Sequence, residues 1–197
     1  MTVGSNPEKF LLCDNGPNAN NRILVFGTSD SPRLLAGADT LYMDGNFDMV
    51  PDIFKQIYDI RVPFGDTAVA SVYALLPNKT RATYDELFQA IVDKCADLSY
   101  SSNVQVVVTD FEDGVLRAVL AVFGRDVERN ACFSHLTQST WRKMQELGLG
   151  TQYNINSEFR LFCGMIDALA FLLLEDLTEG IRYLKTIIPQ DPPEAEQ

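Results

Sequence analysis

The chain has 197 residues, of which 46 % are hydrophobic, which is enough for the core of one domain or of one domain with an appendage. It carries 16 Lys and Arg against 27 Asp and Glu, a formal net charge of −11, and this balance disfavours nucleic-acid binding through bulk positive charge. No run of Lys and Arg marks a local basic strip, and the longest apolar run, 168–174, is too short to span a membrane.

Cysteine usage and the N-terminal sequence indicate an intracellular, reduced protein. The four cysteines are widely scattered and form no disulfide framework. The first ten residues lack the basic region and apolar stretch of a signal peptide.

The N-terminal segment, residues 1–21, is polar and rich in turn formers, which predicts a flexible arm. The apolar run Ile23–Phe26 then predicts a short strand. A helical turn is predicted over 31–36, with Ser31 as its N-cap and Pro32 at its first helical position.

The next segment is rich in apolar, β-branched and aromatic residues, and it predicts three strands without an intervening helix. The predicted strands are 40–44, closed by Gly45; 54–62; and 69–76, stopped by Pro77. Because no helix separates them, we expect an antiparallel meander.

Helical spacing begins after the meander, where Thr83 and Glu86 predict a capping box at the start of a helix. A strand follows over Val104–Val108. It is apolar on both faces, so we expect it in the middle of a sheet. It ends at Thr109 and Asp110, and a further helix is predicted over about 112–123.

The last third of the chain is predicted to be mainly helical. A final short strand is predicted over 131–133, before an amphipathic helix over 135–147 that Gly148 ends. Two more helices are predicted over 157–174 and 177–188.

The order of these elements predicts the fold class and the domain organisation. Three meandering strands followed by crossover β-α units are expected of an α/β fold with an RNase H-like sheet, here over residues 22–148. Residues 149–188 form an all-helical segment, and the proline-containing acidic tail, 189–197, is expected to be disordered.

Two aspartates end the first and the fourth of the core strands, Asp44 and Asp110. In a sheet with this order the two strands lie side by side, so their carboxylates are expected at one edge of the sheet. Carboxylates that are close together repel each other unless a cation lies between them, and Mg²⁺ or Mn²⁺ suits such oxygen ligands. The alternative interpretation is that an Asp after a strand is a common turn former and helix N-cap.

Several ordered blocks of sequence stand out between residues 22 and 187. They are Ala38–Phe47, Tyr73–Thr80, Val108–Glu112, Cys132–His135, Trp141–Lys143 and Ala168–Phe171. Together they resemble the catalytic region of Mutator-like (MULE-type) DNA transposases.

The resemblance implies an RNase H-like core with an Asp, Asp, Glu metal triad, Mg²⁺ or Mn²⁺ as cofactor, and cut-and-paste DNA transposition. Asp44 and Asp110 match the two aspartates of that triad, and Asn46 stands where the family usually has Thr. The resemblance also implies DNA as a partner in the full-length context, is compatible with a homo-oligomer, and indicates the nucleus as the location, otherwise the cytoplasm.

No residue of this chain matches the third catalytic Glu, which in the family lies in a block rich in Thr and Asn. We therefore expect a truncated transposase domain with little or no strand cleavage or transfer by itself. The alternative hypothesis is a domesticated, non-catalytic module that binds DNA or a protein.

Two further sets of residues are candidates for other roles. Cys132 and His135 have the spacing of two zinc ligands, but a structural or DNA-facing role is favoured because the other cysteines lack paired spacing, so zinc is not expected. Trp141, beside Arg142 and Lys143, is the aromatic residue that we select as a candidate for nucleic-acid contact.

Overall fold

The computed structural model of the chain describes residues 2–3, 8–48 and 50–189. The chain divides into two compact units, of which the first ends at Ala131 and the second begins at Cys132. In the part of the chain that the structure describes, no helix has both the length and the apolar character needed to cross a bilayer.

The first unit is an α/β structure built on one mixed sheet. Its strands are β1 (Thr2–Val3), β2 (Glu8–Lys9), β3 (Leu11–Asp14), β4 (Leu24–Gly27), β5 (Thr40–Asn46), β6 (Gln56–Phe64), β7 (Thr67–Leu76), β8 (Val106–Thr109) and β9 (Glu128–Ala131). Its helices are α1 (Ser31–Gly37), α2 (Arg81–Asp97) and α3 (Asp113–Val122). Strands β1 and β2 form a short pair, and the other seven form a sheet in the order β3-β4-β7-β6-β5-β8-β9.

The directions of the strands confirm the predicted meander. Strands β5, β6 and β7 pair antiparallel in succession, whereas β8 is parallel to both β5 and β9. Parallel neighbours need a crossover connection, and α2 and α3 lie in the two crossovers. The prediction that the first and fourth core strands are neighbours is confirmed by the pairing of β5 with β8.

One continuous apolar core stabilises the first unit. It is formed by alternate residues of the strands and by apolar residues of the three helices. Its buried side chains include Leu41, Met43, Tyr58, Ile60, Val72, Ala74, Tyr84, Leu87, Phe88, Val107, Val115 and Val119. On the intervening positions of β5 and β7, Tyr42 and Tyr73 are exposed, so these strands have one core face and one open face.

The start of α2 differs from the predicted capping box. Thr80, in extended backbone conformation, is the N-cap, and its side chain accepts a hydrogen bond from the Thr83 backbone N–H. Thr83 lies inside the first turn, and Glu86 accepts a hydrogen bond from the Asn15 side chain at 2.7 Å. The capping-box prediction is therefore wrong, because Thr80 already occupies the capping position three residues earlier.

The start of α1 also differs, because Ser31 is its first residue and not its N-cap. The Ser31 hydroxyl donates a hydrogen bond to the Ser71 backbone carbonyl of β7 at 2.6 Å, so this side chain connects α1 to the sheet. Pro32 lies in the first turn, as predicted.

The predicted strands β4, β6, β7 and β8 are each shifted or extended by one or two residues, and three further differences have a clear cause. β5 continues through Gly45 to Asn46, because both residues pair with β6. The last strand is β9, Glu128–Ala131, and not 131–133, because it pairs with β8 and Cys132 is already the N-cap of the next helix. In the segment predicted to be a flexible arm, β3 pairs antiparallel with β4.

The second unit is helical throughout its described residues. Its elements are α4 (Phe133–Glu146), α5 (Gly150–Ile155), α6 (Ser157–Ala168), a 3₁₀ turn (Leu169–Phe171) and α7 (Leu177–Thr186). A small core holds it together, formed by Met144, Leu149, Phe159 and Cys163 with Trp141, Leu147 and Tyr153 packed against it.

Two features of the second unit differ from the predictions. The sequence did not predict α5, and it extended the helix at 157 to residue 174, whereas α6 ends at Ala168. The unit begins at Cys132, whereas the predicted helical segment began at 149. Of the predicted disordered tail, all residues except Pro189 lie outside the described part of the chain.

Candidate functional site

The pairing of β5 with β8 brings Asp44 and Asp110 to the same level of the sheet. The register pairs Tyr42 with Val108, so two residues further along each parallel strand are Asp44 and Asp110. Alternation puts Asp44 on the face opposite buried Leu41, and Asp110 directly follows Thr109, the last residue of β8. The two aspartates therefore lie at one edge of the sheet.

Local hydrogen bonds orient both carboxylates. Asp44 Oδ1 accepts a hydrogen bond from the Gly45 backbone N–H at 2.8 Å. Asp110 Oδ1 accepts one from the Glu112 backbone N–H at 3.2 Å. The N-cap position of α3 is Glu112, so Asp110 lies before the helix and is not its N-cap residue.

A third acid lies beside Asp44 on the same face, paired with an arginine. Asp59 of β6 is the cross-strand partner of Asp44. Arg61 binds Asp59 with both ends of its guanidinium, Nε to Oδ1 at 3.0 Å and Nη2 to Oδ2 at 2.7 Å. This pairing, with a smaller contribution from Asp44, raises the pKa of Arg61, so Arg61 is a permanent positive charge beside these carboxylates.

A buried polar network lies under this edge of the sheet. Gln56 Nε2 donates to the Tyr84 hydroxyl at 2.8 Å, and that hydroxyl donates to Glu112 Oε2 at 3.3 Å. Gln56 and Tyr84 are fully buried, and burial raises the pKa of Tyr84, which keeps the hydroxyl protonated. The network thus fixes the carboxylate of Glu112, two residues after Asp110.

Gly45 is required by the same network. A Cβ atom added at this position would lie 2.5 Å from Gln56 Oε1. The small residue after Asp44 therefore lets the Gln56 side chain pass beneath the strand.

Glu112 combines burial with a neighbouring cation. Burial raises the pKa of its carboxyl group, the nearby Lys79 ammonium lowers it, and the charge of Asp110 raises it, with a net upward shift. Lys79 Nζ lies 3.5 Å from Glu112 Oε2 and 3.9 Å from the centroid of the Phe47 ring. Lys79 and Glu112 thus form a charged pair immediately beside Asp110.

The chemistry of the donor set fits a hard cation at this edge. Carboxylate oxygens are the ligands that Mg²⁺ and Mn²⁺ prefer, and Asp44 and Asp110 would supply two of them. Among the residues that the structure describes, no three His, Cys, Asp or Glu side chains are arranged to hold one ion. The remaining ligands of such an ion would be water or substrate oxygens.

The Cys132 and His135 pair lies at the start of α4. Cys132 is the N-cap residue, and its Sγ lies 3.0 Å from Ser134 Oγ. Partial burial raises the pKa of the Cys132 thiol, but hydrogen bonds with Ser134 and His135 outweigh it and the net shift in pKa is downward. The pair is thus part of a helix start, and its predicted structural or DNA-facing role stays a prediction.

The three candidate DNA contacts of α4 differ in their surroundings. Trp141 packs against Tyr153, with ring centroids 5.3 Å apart, in the core of the second unit. Arg142 and Lys143 are exposed, and Lys143 Nζ lies 3.9 Å from Glu146 Oε2. Contact with nucleic acid by these residues stays a prediction.

Sequence reasoning did not select four residues that surround the two aspartates. Asp59 and Arg61 carried a usable signal, because an Asp-x-Arg pattern in a strand places both side chains on one face. Lys79 and Glu112 carried no comparable signal, because only the fold brings the segment after β7 next to the segment after β8.

A comparison with protein families identifies the family to which the matched region is similar. The family model of the MULE transposase domain matches residues 40–139, just over half of the chain. The matched region begins at the first residue of β5, ends within α4, and includes Asp44, Asp110, Cys132 and His135. No curated protein matches the sequence.

Proposed function

The chain belongs to the MULE transposase domain family, and we propose that its first unit is the core of a metal-dependent DNA transposase with an RNase H-like sheet. Asp44 and Asp110 would hold Mg²⁺ or Mn²⁺ at the edge of that sheet. The observation that carries the proposal is the parallel pairing of β5 with β8, whose register brings these two aspartates to one level.

The chain's own residues would prepare the site in three ways. The Gly45 and Glu112 backbone N–H groups orient one oxygen of Asp44 and one of Asp110. The Gln56 and Tyr84 network holds Glu112, and with it the start of α3. Ions bound there would activate a water or a 3′-hydroxyl and stabilise the leaving oxygen in phosphoryl transfer.

We propose further that this chain alone cleaves or joins DNA strands poorly. The two aspartates supply only part of the carboxylate triad that the family resemblance implies. The ions contribute several kcal/mol of transition-state stabilisation in such sites, so weaker ion binding removes most of the rate. Because DNA is the proposed substrate, we also propose that the protein acts in the nucleus.

The test is titration of Mn²⁺ and of Mg²⁺ into the full chain by calorimetry. We expect Asp44→Asn and Asp110→Asn each to weaken ion binding by at least about tenfold, because each removes a charged ligand. Asp66→Asn is the matched control, since Asp66 lies in the turn between β6 and β7, at the opposite edge of the sheet. Equal ion binding by wild type and both site variants would overturn the metal proposal.

A nicking assay on DNA with terminal repeats separates the remaining hypotheses. We expect weak or no cleavage in Mg²⁺ or Mn²⁺. Rapid cleavage that Asp110→Asn abolishes would contradict the proposal of low activity while supporting the proposed site. A non-catalytic DNA- or protein-binding module, the alternative from the sequence, predicts that binding of the partner does not depend on either aspartate.

A further inference from the structure

Lys79 holds a defined position at the edge of the sheet that carries Asp110. It lies between β7 and α2, and its side chain is 38 % exposed. The ammonium group contacts both the ring of Phe47, which follows β5, and the carboxylate of Glu112, which follows β8. A lysine held over an aromatic ring loses less conformational freedom on binding a ligand than a free one.

The starts of two helices meet beside Lys79. A Cβ atom added at Gly114, in the first turn of α3, would lie 3.2 Å from the Lys79 backbone oxygen and 3.4 Å from the Arg81 backbone nitrogen. The first turns of α2 and α3 are therefore in close contact. Each helix N-terminus carries about half a positive charge, so both dipoles add to the charge of Lys79.

The ion pair with Glu112 does not by itself explain why a lysine lies at position 79. A half-exposed lysine–carboxylate pair contributes little to stability. The ammonium group has three N–H donors, and the Glu112 contact at 3.5 Å uses one of them at most. The contact with the face of Phe47 leaves the remaining donors available to an anion.

We propose that Lys79 binds a phosphate oxygen of the DNA strand that lies against Asp44 and Asp110. The inference rests on the proposed function, because it assigns the DNA contact of the same site. Glu112 is a positioning residue in this scheme. Its carboxylate holds the ammonium of Lys79, and its backbone N–H holds Asp110 Oδ1 at 3.2 Å. Glu112 thus positions both Lys79, the proposed phosphate-binding residue, and Asp110, a proposed metal ligand.

The test measures how DNA binding depends on salt. A short fluorescein-labelled DNA duplex is titrated with the full chain in Ca²⁺, and anisotropy gives the binding constant over a range of KCl concentrations. One lost phosphate contact reduces the slope of log K against log salt by about 0.9 for duplex DNA. We expect this reduction for Lys79→Gln and a nearly unchanged slope for Lys79→Arg, which keeps the charge.

The matched control is Arg33→Gln. Arg33 is also an exposed cation paired with an acid, Asp30 at 3.3 Å, but it lies in α1 after β4, at the opposite edge of the sheet. We expect its slope to equal that of the wild type. Thermal unfolding of each variant identifies any loss of slope that follows from loss of fold, and Lys79→Met, which also removes the charge, provides the result if Lys79→Gln unfolds.

The outcomes separate the inference from the proposed function. A wild-type chain that binds DNA with a slope that Lys79→Gln does not change overturns the Lys79 contact and leaves the proposed function in place. A wild-type chain that binds no DNA at low salt overturns both. A reduced slope for Lys79→Gln, with Lys79→Arg and Arg33→Gln like wild type, supports the inference.

Discussion

The two units of the chain differ in how completely they bury their apolar side chains. The first has a continuous core in which residues such as Tyr84 and Phe88 are fully buried. The second buries few large side chains and leaves Phe171 73 % and Leu174 86 % exposed. Apolar burial is therefore concentrated in the unit that holds the candidate site, whereas the second unit presents an apolar surface of the kind that often contacts other molecules.

The largest expected effect tests this contrast with two phenylalanines. Phe88→Ala removes a ring that contacts Tyr58, Tyr84 and Phe123, and we expect it to lower the free energy of unfolding by about 3–5 kcal/mol. Phe171→Ala removes an exposed ring of the second unit, and we expect a loss below about 1 kcal/mol. Urea denaturation followed by far-ultraviolet circular dichroism measures both.

The single tryptophan allows the second unit to be followed separately. Trp141 lies in the core of the second unit, so its fluorescence reports the unfolding of that unit. Far-ultraviolet dichroism reports both units, so if the units unfold separately, Phe88→Ala shifts one part of the dichroism transition and leaves the fluorescence transition in place. Similar losses for Phe88→Ala and Phe171→Ala would show that the two units do not differ in how strongly their apolar side chains stabilise the fold.

A smaller effect is expected from the helix caps, one in each unit. Thr80 caps α2, and Asn156 caps α6 by accepting hydrogen bonds from the Glu158 and Phe159 backbone N–H groups. Each change to alanine is expected to cost about 1 kcal/mol, because it leaves backbone donors without a side-chain partner. Asn156→Ala should move the Trp141 fluorescence transition, whereas Thr80→Ala should move part of the dichroism transition and leave the fluorescence transition in place. A shift of the fluorescence transition by Thr80→Ala would contradict two separately stable units.

The smallest effect concerns the pH dependence of the first unit. The Arg22 side chain, with the Gly16 backbone N–H, lowers the pKa of Asp14 below its unfolded value of about 3.9. Because the folded pKa is depressed, the stabilisation is complete well above pH 4 and is lost as pH falls through the folded pKa. Asp14→Asn should therefore have a lower Tm than wild type at pH 7 and a converging Tm below pH 4, whereas a constant difference would exclude this pair as the cause.

Much of the sheet, and the placement of the two candidate aspartates at one edge of it, could be predicted from the sequence. The absence of a helical pattern between 40 and 76 predicted the meander. The doubly apolar strand around Val107 predicted an interior position, which β8 occupies between β5 and β9. These features depend on local periodicity and strand order, so Asp44 and Asp110 could be assigned to one edge before their geometry was known.

The remaining features depend on contacts between distant segments. The residue type of Ser31 is typical of an N-cap, so the sequence could not exclude that role. Its hydrogen bond to the Ser71 backbone carbonyl forms only when α1 lies on β7. The strand β3 was missed because four residues among turn formers carry little periodic signal, and pairing with β4 stabilises it. Lys79 precedes α2 and Glu112 follows β8, so the two residues are distant in the sequence and no sequence spacing indicates that they are in contact.

The parallel pairing of β5 with β8 would also link folding to the proposed ion binding. Strands β6 and β7 and helix α2 lie between Asp44 and Asp110 in the chain. The unfolded chain therefore does not hold the two aspartates together. An ion that binds only the native arrangement stabilises it by an amount that grows with the logarithm of the ion concentration. The melting temperature of the first unit would then rise with the concentration of free divalent cation.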